Sequence, residues 1–340
     1  MPISIKDVAA RAGVSTATVS HVLNGTRRTQ PVTRERVLAA VAELGYTLNR
    51  AAQNLAAGRS SLLGLIISDI RNPFFPDLTA AFQDQALMHR MDAVVLNTNY
   101  DAQRTLDCVV RLIGLRVPGV AILTSQIDPA VIQELASKRV SAVYLDLGRV
   151  DAHIANIVID YEQGIAEALE HLVKLGHRAI GYIGGPVHLP SAQRRKQAFV
   201  ETAAKFGVAP AGIMDSDFTV QGGYFAASKL LTNHKPTALI GGNDLAAIGS
   251  LHCAYDRGMQ VPADLSVVGF DDIAFAQYTQ PALTSVSIPR QEIGRVAFQA
   301  LWQMISQKED AVGREYHVET RLVCRQSTAP VRACAQADVA

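Results

Sequence analysis

The chain has 340 residues, 49% hydrophobic and 19% charged, which excludes an intrinsically disordered protein and suits two or three folded domains better than one. A formal net charge of +1 hides an asymmetry: residues 1–60 hold eight basic residues (Lys6, Arg11, Arg27, Arg28, Arg34, Arg36, Arg50, Arg59) against Asp7, Glu35 and Glu43, while the remainder holds 24 basic and 28 acidic residues. A basic head on a mildly acidic body suits a polyanion partner for the head, or simply a soluble basic surface.

The start, MPISIKDVAARAG, has no signal-peptide pattern, and no apolar run approaches the roughly 20 residues of a membrane helix. The expectation is a cytoplasmic protein with no membrane partner. Cys108, Cys253, Cys324 and Cys334 lie far apart without a CxxC pair, as ordinary thiols in a reducing compartment do, and no metal site is expected.

Along the chain, Ile5 to Ala12 reads as a helix with Ser4 as N-cap and Asp7 in its first turn, interrupted at Gly13. Ser15 caps a second helix, Thr16 to Leu23, which Asn24-Gly25 ends. Thr33 is read as the cap of a third, Arg34 to Leu44, closed by Gly45. Val8, Ala9, Ala12, Val14, Val19, Val22, Leu23, Val37, Val41 and Leu44 recur at helical spacing and would fill one small core. Residues 47–60, TLNRAAQNLAAGRS, are helix-permissive but offer only Leu55 as a large apolar residue after Leu48, so they read as a linker that folds on contact with a partner.

From residue 61 to about 330, apolar strand-like runs alternate with helical stretches: Leu62–Ser68, Ala93–Thr98, Gly119–Thr124, Ala142–Asp146, Ile157–Asp160, Ile180–Gly184, Ala238–Gly242 and Leu265–Asp271. Near-continuous apolar strands between helices indicate parallel sheets covered on both faces. About 270 residues is long for one sheet. Two α/β lobes with a boundary near the helix Gln163–Leu175 would form a clamshell, with its ligand at the strand C-termini.

The segment IKDVAARAGVSTATVSHVLNG carries the sharpest signal. Helix, Gly-containing turn, then a helix opening on small polar residues is a helix-turn-helix, whose second helix enters the major groove. Ser15, Thr16, Ala17 and Thr18 are short enough for close approach; Thr16 can hydrogen-bond bases and Ala17 can touch a thymine methyl. His21 and Asn24 lie further along the exposed face, within reach of bases or phosphates.

From Ile5 to Gly58 the sequence resembles the head of the LacI/GalR family of bacterial repressors. NPFF at 72–75, GHRAIGYIGGP at 176–186, GGND at 241–244, VPADLSVVGFDD at 261–272 and QPALTSVSIPRQEIG at 280–294 resemble that family's effector domain. The resemblance spans nearly the whole chain, to about Ser327. It implies a small all-α helix-turn-helix head, residues 1–46, and a hinge helix at 47–60. A two-lobed α/β periplasmic-binding-protein-like domain with parallel sheets would follow at 61–330. Lobe one would be 61–158 plus 289–318 and lobe two 159–288 plus 319–328, with 331–340 a disordered tail.

In similar proteins the hinge orders on operator DNA, and a leucine in the place of Leu55 wedges into the minor groove. A leucine without a core to join fits that role, since unstacking a base step would bury it. Asn49, Arg50 and Gln53 would contact the backbone or groove edges. The resemblance places effector contacts at Asn72, Phe74, Asp146, Arg195, Asn243 and Asp271. Carboxylates, amides and a guanidinium around an aromatic face suit a polyol such as a sugar. Each acid could instead cap a helix after its strand. The stretch His188-Leu189-Pro190-Ser191 departs from better-known sugar-binding patterns, which keeps a free purine or a small hydroxy acid open; His188 reads as a loop residue.

GYIGGP lacks the GxGxxG spacing, no GxxxxGK[ST] or GxSxG is present, and His171 and His177, six apart, do not share a helix face for a metal. No cofactor and no catalysis are expected. The whole reads as a dimeric repressor on a palindromic operator, controlled by a small molecule, with no C-terminal heptads to suggest a tetramer. The alternative is a sugar-binding transport protein, disfavoured by the basic helical head and the missing secretion signal.

Overall fold

The computed structural model describes residues 3–25, 27–46, 60–124, 127–307 and 312–332, and divides into two units, residues 1–59 and 60–340.

Among its described residues the first unit holds three helices, α1 (Ile5–Ala12), α2 (Thr16–Asn24) and α3 (Pro31–Leu44). Ser4 caps α1: its backbone N–H and hydroxyl both donate to Asp7 Oδ2, at 2.8 and 2.7 Å, which holds the Asp7 carboxyl below its ordinary range. Gly13 adopts φ +62°, the left-handed conformation that a tight inter-helix turn requires, and Ser15 then accepts from Thr18 N at 3.1 Å to start α2. The third helix begins at Pro31, not at Arg34. Gln30 O already accepts from Arg34 N at 3.0 Å, and proline at the first helical position is pre-set in φ and lacks the N–H that would go unpaired there. Thr33 therefore lies inside the helix. Val8, Ala9, Ala12, Val19, Val22, Val37 and Ala40 are buried, with Val14, Leu23, Val41 and Leu44 packed against them. Ala40 was not among the expected core positions.

The second unit holds two six-stranded sheets. The strands of the first are β1 (Leu62–Ile67), β2 (Asp92–Asn97), β3 (Gly119–Leu123), β4 (Ser141–Leu145), β5 (Ile154–Ile159) and β11 (Glu315–Val318), ordered β11-β5-β4-β3-β1-β2 and parallel throughout. Those of the second are β6 (Ile180–Ile183), β7 (Pro210–Met214), β8 (Ala238–Gly241), β9 (Ser266–Asp271), β10 (Thr284–Ser287) and β12 (Arg321–Val323), ordered β12-β10-β9-β8-β6-β7, with only β12 antiparallel. Helices α4 (Phe74–Met88), α5 (Ala102–Gly114), α6 (Pro129–Ser137) and α11 (Arg290–Gln307) pack with the first sheet. Helices α7 (Tyr161–Lys174), α8 (Pro190–Lys205), α9 (Val220–Asn233) and α10 (Asp244–Asp256) belong with the second.

Four of these twelve strands escaped the sequence reading, and each is at an edge or polar. Pro210 and Gly212 interrupt β7, β10 is Thr-Ser-Val-Ser, β11 opens Glu-Tyr-His, and β12 has three residues. The chain passes between the sheets after β5, after β10 and after β11. Asp160 ties two of these passages: its N–H donates to Val318 O at 3.0 Å and its carbonyl accepts from Thr320 Oγ1 at 2.6 Å. Gly164 is required beside them, because a Cβ there would stand 2.4 Å from Val286 Cγ1 and 2.6 Å from Thr320 Oγ1. One apolar cluster runs from Leu63 and Ile157 of the first lobe to Tyr182 and Phe270 of the second. Val331 and Arg332, expected in the tail, are held in place: Val331 N donates to Leu175 O at 2.9 Å and Arg332 pairs with Asp264 at 2.8 Å.

Candidate functional site

On the head, the N-terminal turn of α2 presents Ser15, Thr16 and Ala17 to solvent, with Thr18 and His21 half-buried behind them. The Ser15 hydroxyl is engaged twice, by Thr18 N and at 2.9 Å by Thr18 Oγ1, so Ser15 and Thr18 shape the turn while Thr16 and Ala17 stand outermost. Asn24 is the last residue of α2. Its side chain, and Asn49, Arg50, Gln53 and Leu55 altogether, lie outside the described residues.

In the second unit, the C-terminal ends of both sheets line one cavity enclosing about 450 Å³, mouth included. Asn72, Phe74, Arg195, Asn243 and Asp271 all line it. So do Tyr100, Tyr161, Ser191 and Phe218, which the sequence reading missed; Phe218 and Tyr161 each immediately adjoin a helix cap (Thr219, Asp160), the kind of loop position that turns a side chain into a cleft.

Arg195 and Asp271 form its polar centre. Arg195 is only 7% exposed and its guanidinium carbon lies 4.4, 4.8 and 5.7 Å from the ring centroids of Phe270, Tyr161 and Phe218. Its Nη1 donates to Gly242 O at 2.5 Å and approaches Asp271 Oδ1 at 3.3 Å. That approach is ionic, not a directed hydrogen bond: Asp271 Oδ1 accepts none, and Arg195 Nε donates none. Burial pushes the Asp271 carboxyl up to about 6, against the lowering pull of Arg195 and Arg290. Asp271 and Asp272 adopt φ +107° and +51°, strained for non-glycine residues, and Arg290 fixes them by donating to both their carbonyls while pairing with Asp77 at 3.1 Å. Behind this strand end Asp244, fully buried, accepts from Ile273 N at 2.7 Å and from Ser285 Oγ at 2.5 Å; burial and the nearby Asp271 raise its carboxyl well above the usual range.

The two amides line the cavity but their oxygens are taken. Asn72 Oδ1 accepts from Phe74 N at 3.0 Å; Asn243 Oδ1 accepts from Ala246 N at 2.9 Å and its Nδ2 donates to Phe218 O at 3.0 Å. Asp146 is not brought to the cavity wall. Its carboxylate accepts from Tyr161 OH at 2.7 Å, Arg194 Nη1 at 3.0 Å and Ile159 N at 3.1 Å, which makes it a junction between the lobes. His188 is exposed and lies outside the cavity lining. His171 and His177 hold the C-terminal segment, through Thr328 Oγ1 at 2.9 Å and Ala329 O at 3.0 Å respectively. Among the described residues no cluster of three or more metal-ligating side chains occurs, and no helix is long and apolar enough to cross a membrane.

A helix-turn-helix head joined to a two-lobed α/β domain with a buried polar pair in its cleft defines a ligand-binding regulatory protein. Residues 4–49 match the bacterial regulatory proteins of the lacI family, and residues 169–328 match the periplasmic binding protein-like domain. The chain is 33% identical over 334 residues to the catabolite control protein A of Priestia megaterium, covering 96% of this chain and all of that protein. It is 34% identical to the HTH-type transcriptional repressor PurR of Proteus mirabilis, covering 96% and 97%. Its fold superposes on a lac repressor dimer bound to operator and the anti-inducer ONPF with a TM-score of 0.85, at 29% identity over 97% of this chain and 100% of that one. A cellobiose complex of the transcriptional regulator CelR gives 0.72 at 29% identity over 96% and 99%. The chain belongs to the LacI family: it is a DNA-binding transcriptional regulator with a small-molecule-binding domain.

Proposed function

We propose that the protein is a cytoplasmic repressor that binds a palindromic operator as a homodimer and responds to a neutral, hydroxyl-rich effector held between its lobes. The observation that carries this is the unsatisfied pair at the cleft centre, one acceptor on Asp271 and one donor on Arg195, surrounded by Phe74, Tyr100, Tyr161 and Phe218. An acceptor and a donor side by side match a hydroxyl, which is both, and the rings match the apolar face of a sugar or related metabolite. Because Arg195 and Asp271 offset each other's charge, the site favours a neutral ligand over a free anion. Related structures with bound cellobiose and ribose support this class.

On the DNA side, Thr16 and Ala17 read bases, Ser15 and Thr18 set the turn, and His21 and Asn24 reach the groove flank. The hinge, with Asn49, Arg50, Gln53 and Leu55, docks in the minor groove. Residues 1–46, 47–60 and 61–330 divide the labour as head, hinge and effector domain. Effector binding changes the lobe angle and hence the hinge geometry, by no more than its differential affinity for the two states. The protein acts by binding and not by catalysis. Selection of sites from a random duplex library, followed by a thermal-shift screen of sugars, purines and hydroxy acids, tests the reading. A palindrome and a stabilising sugar are the expected outcome; only sequence-blind binding and no stabilising polyol would overturn it.

A further inference from the structure

Three turns of the first lobe share an unusual composition. After α4, α5 and α6 the chain enters β2, β3 and β4 through a residue in the left-handed conformation: Arg90 (φ +58°), Arg116 (φ +54°) and Arg139 (φ +53°). Each turn closes with the same backbone bond, Met91 N to Ala86 O at 2.9 Å, Val117 N to Leu112 O at 3.3 Å and Val140 N to Leu135 O at 3.0 Å. This is the helix-ending motif in which glycine is favoured, because a Cβ is disfavoured at positive φ.

The second lobe makes the turn with glycine wherever the same bond closes it. Gly176, Gly207 and Gly258 precede His177 N to Leu172 O, Val208 N to Ala203 O and Met259 N to Ala254 O; Lys235, at φ +47°, ends the fourth helix. The head uses Gly13 and Gly45 in the same way. Arginine is thus not what the turn asks for. A cation can offset the dipole at a helix C-terminus, but three second-lobe helices end identically without one at that position.

All six strands of the first sheet are parallel, so these turns lie on a single edge, the one at which the chain enters the domain from Ser60 into β1. Arg90, Arg116 and Arg139 are exposed there, as are Lys138 and Arg314, and none of the five makes a side-chain hydrogen bond or ion pair among the described residues. Among the described residues, the acids that begin or precede these strands are engaged or half-buried: Asp151 accepts from Ala152 N, Glu315 accepts from Asn156 and pairs with His317, and Asp92 is half-buried.

We propose that this basic edge is a second DNA-binding surface, which grips the phosphate backbone of duplex DNA without reading sequence while the head reads bases. Guanidinium groups suit phosphate oxygens, and a surface adjoining the attachment of the head is tethered to the same duplex. The proposal rests on the head being a DNA reader.

The test uses the full chain and a random-sequence duplex, with affinity measured by fluorescence anisotropy between 50 and 200 mM salt. The triple variant R90G/R116G/R139G should melt no lower than the wild type, since glycine suits all three turns. Its log K against log [salt] line should be shallower by about one unit per arginine that meets a phosphate. The triple variant R90K/R116K/R139K, which keeps charge and backbone strain, should keep the wild-type slope. An unchanged affinity and slope in the glycine variant, with the wild type binding normally, would overturn the basic edge alone. No duplex binding by the wild type would overturn the head reading with it.

Discussion

Asp146 and Asp271 occupy matching places in the two lobes. Each stands at a strand end, at positive φ (+58° and +107°), with its side chain 2% and 4% exposed and an arginine beside it; the arginines, Arg194 and Arg195, are neighbours in sequence. Yet the first-lobe acid is complete and the second-lobe acid is not. Asp146 accepts from a backbone N–H, a tyrosine hydroxyl and a guanidinium, whereas Asp271 Oδ1 accepts nothing. Residue type, burial and position are alike; hydrogen-bond accounting separates the fully paired acid from the one with an unpaired acceptor in the cavity wall.

Substitutions should pull this pair apart. The largest expected effect is on stability: Asp146→Ala leaves Tyr161 OH, Ile159 N and Arg194 Nη1 without their acceptor and should lower the unfolding free energy by about 3 kcal/mol in urea titrations. Its effect on effector affinity should be the smaller one. Arg195→Ala, which also costs stability by leaving Asp271 and Gly242 O without their partner, should in addition weaken the effector found in the ligand screen roughly a hundredfold by calorimetry. Equal effects of both substitutions on affinity would erase the distinction.

Gly164→Ala should cost about 2 kcal/mol through overpacking against Val286 and Thr320 at the inter-lobe passage, read as a shifted urea midpoint. The smallest effect is that of pH. Burial pushes the Asp271 carboxyl up to about 6, and the proposed hydroxyl ligand would donate to its ionised form. Affinity should be level above that pH and fall as pH drops through it, by about tenfold at pH 5. Affinity rising in acid would mean that the protonated carboxyl is the binding form.

Much of the fold was legible in the sequence. Ser4, Gly13 and Ser15 act through local backbone chemistry, and apolar strands of parallel sheets announce themselves. Arg195 and Asp271 were legible through the family resemblance, which places them in the cleft but cannot say which atoms are free. The fate of Asp146 was not legible, because it depends on Tyr161 and Arg194 arriving from other elements. The strands β10 (Thr-Ser-Val-Ser) and β11 (Glu-Tyr-His-Val) were missed because their residues are mostly polar, although β10 is buried between two neighbours and only β11 lies at a sheet edge. Pro31 was a local signal overlooked in favour of the threonine two residues later.

The proposed role of Asp271 is to accept the effector that controls DNA binding. The direct measurement is operator affinity of the wild type and of Asp271→Asn, each with and without saturating effector, on a duplex recovered by site selection. The account predicts at least a fivefold effector-dependent change for the wild type, a typical lower bound for allosteric coupling. Asp271→Asn should bind the duplex alone as tightly as the wild type and show no effector response. A variant that still responded fully would contradict it, and would place the effector's contacts elsewhere.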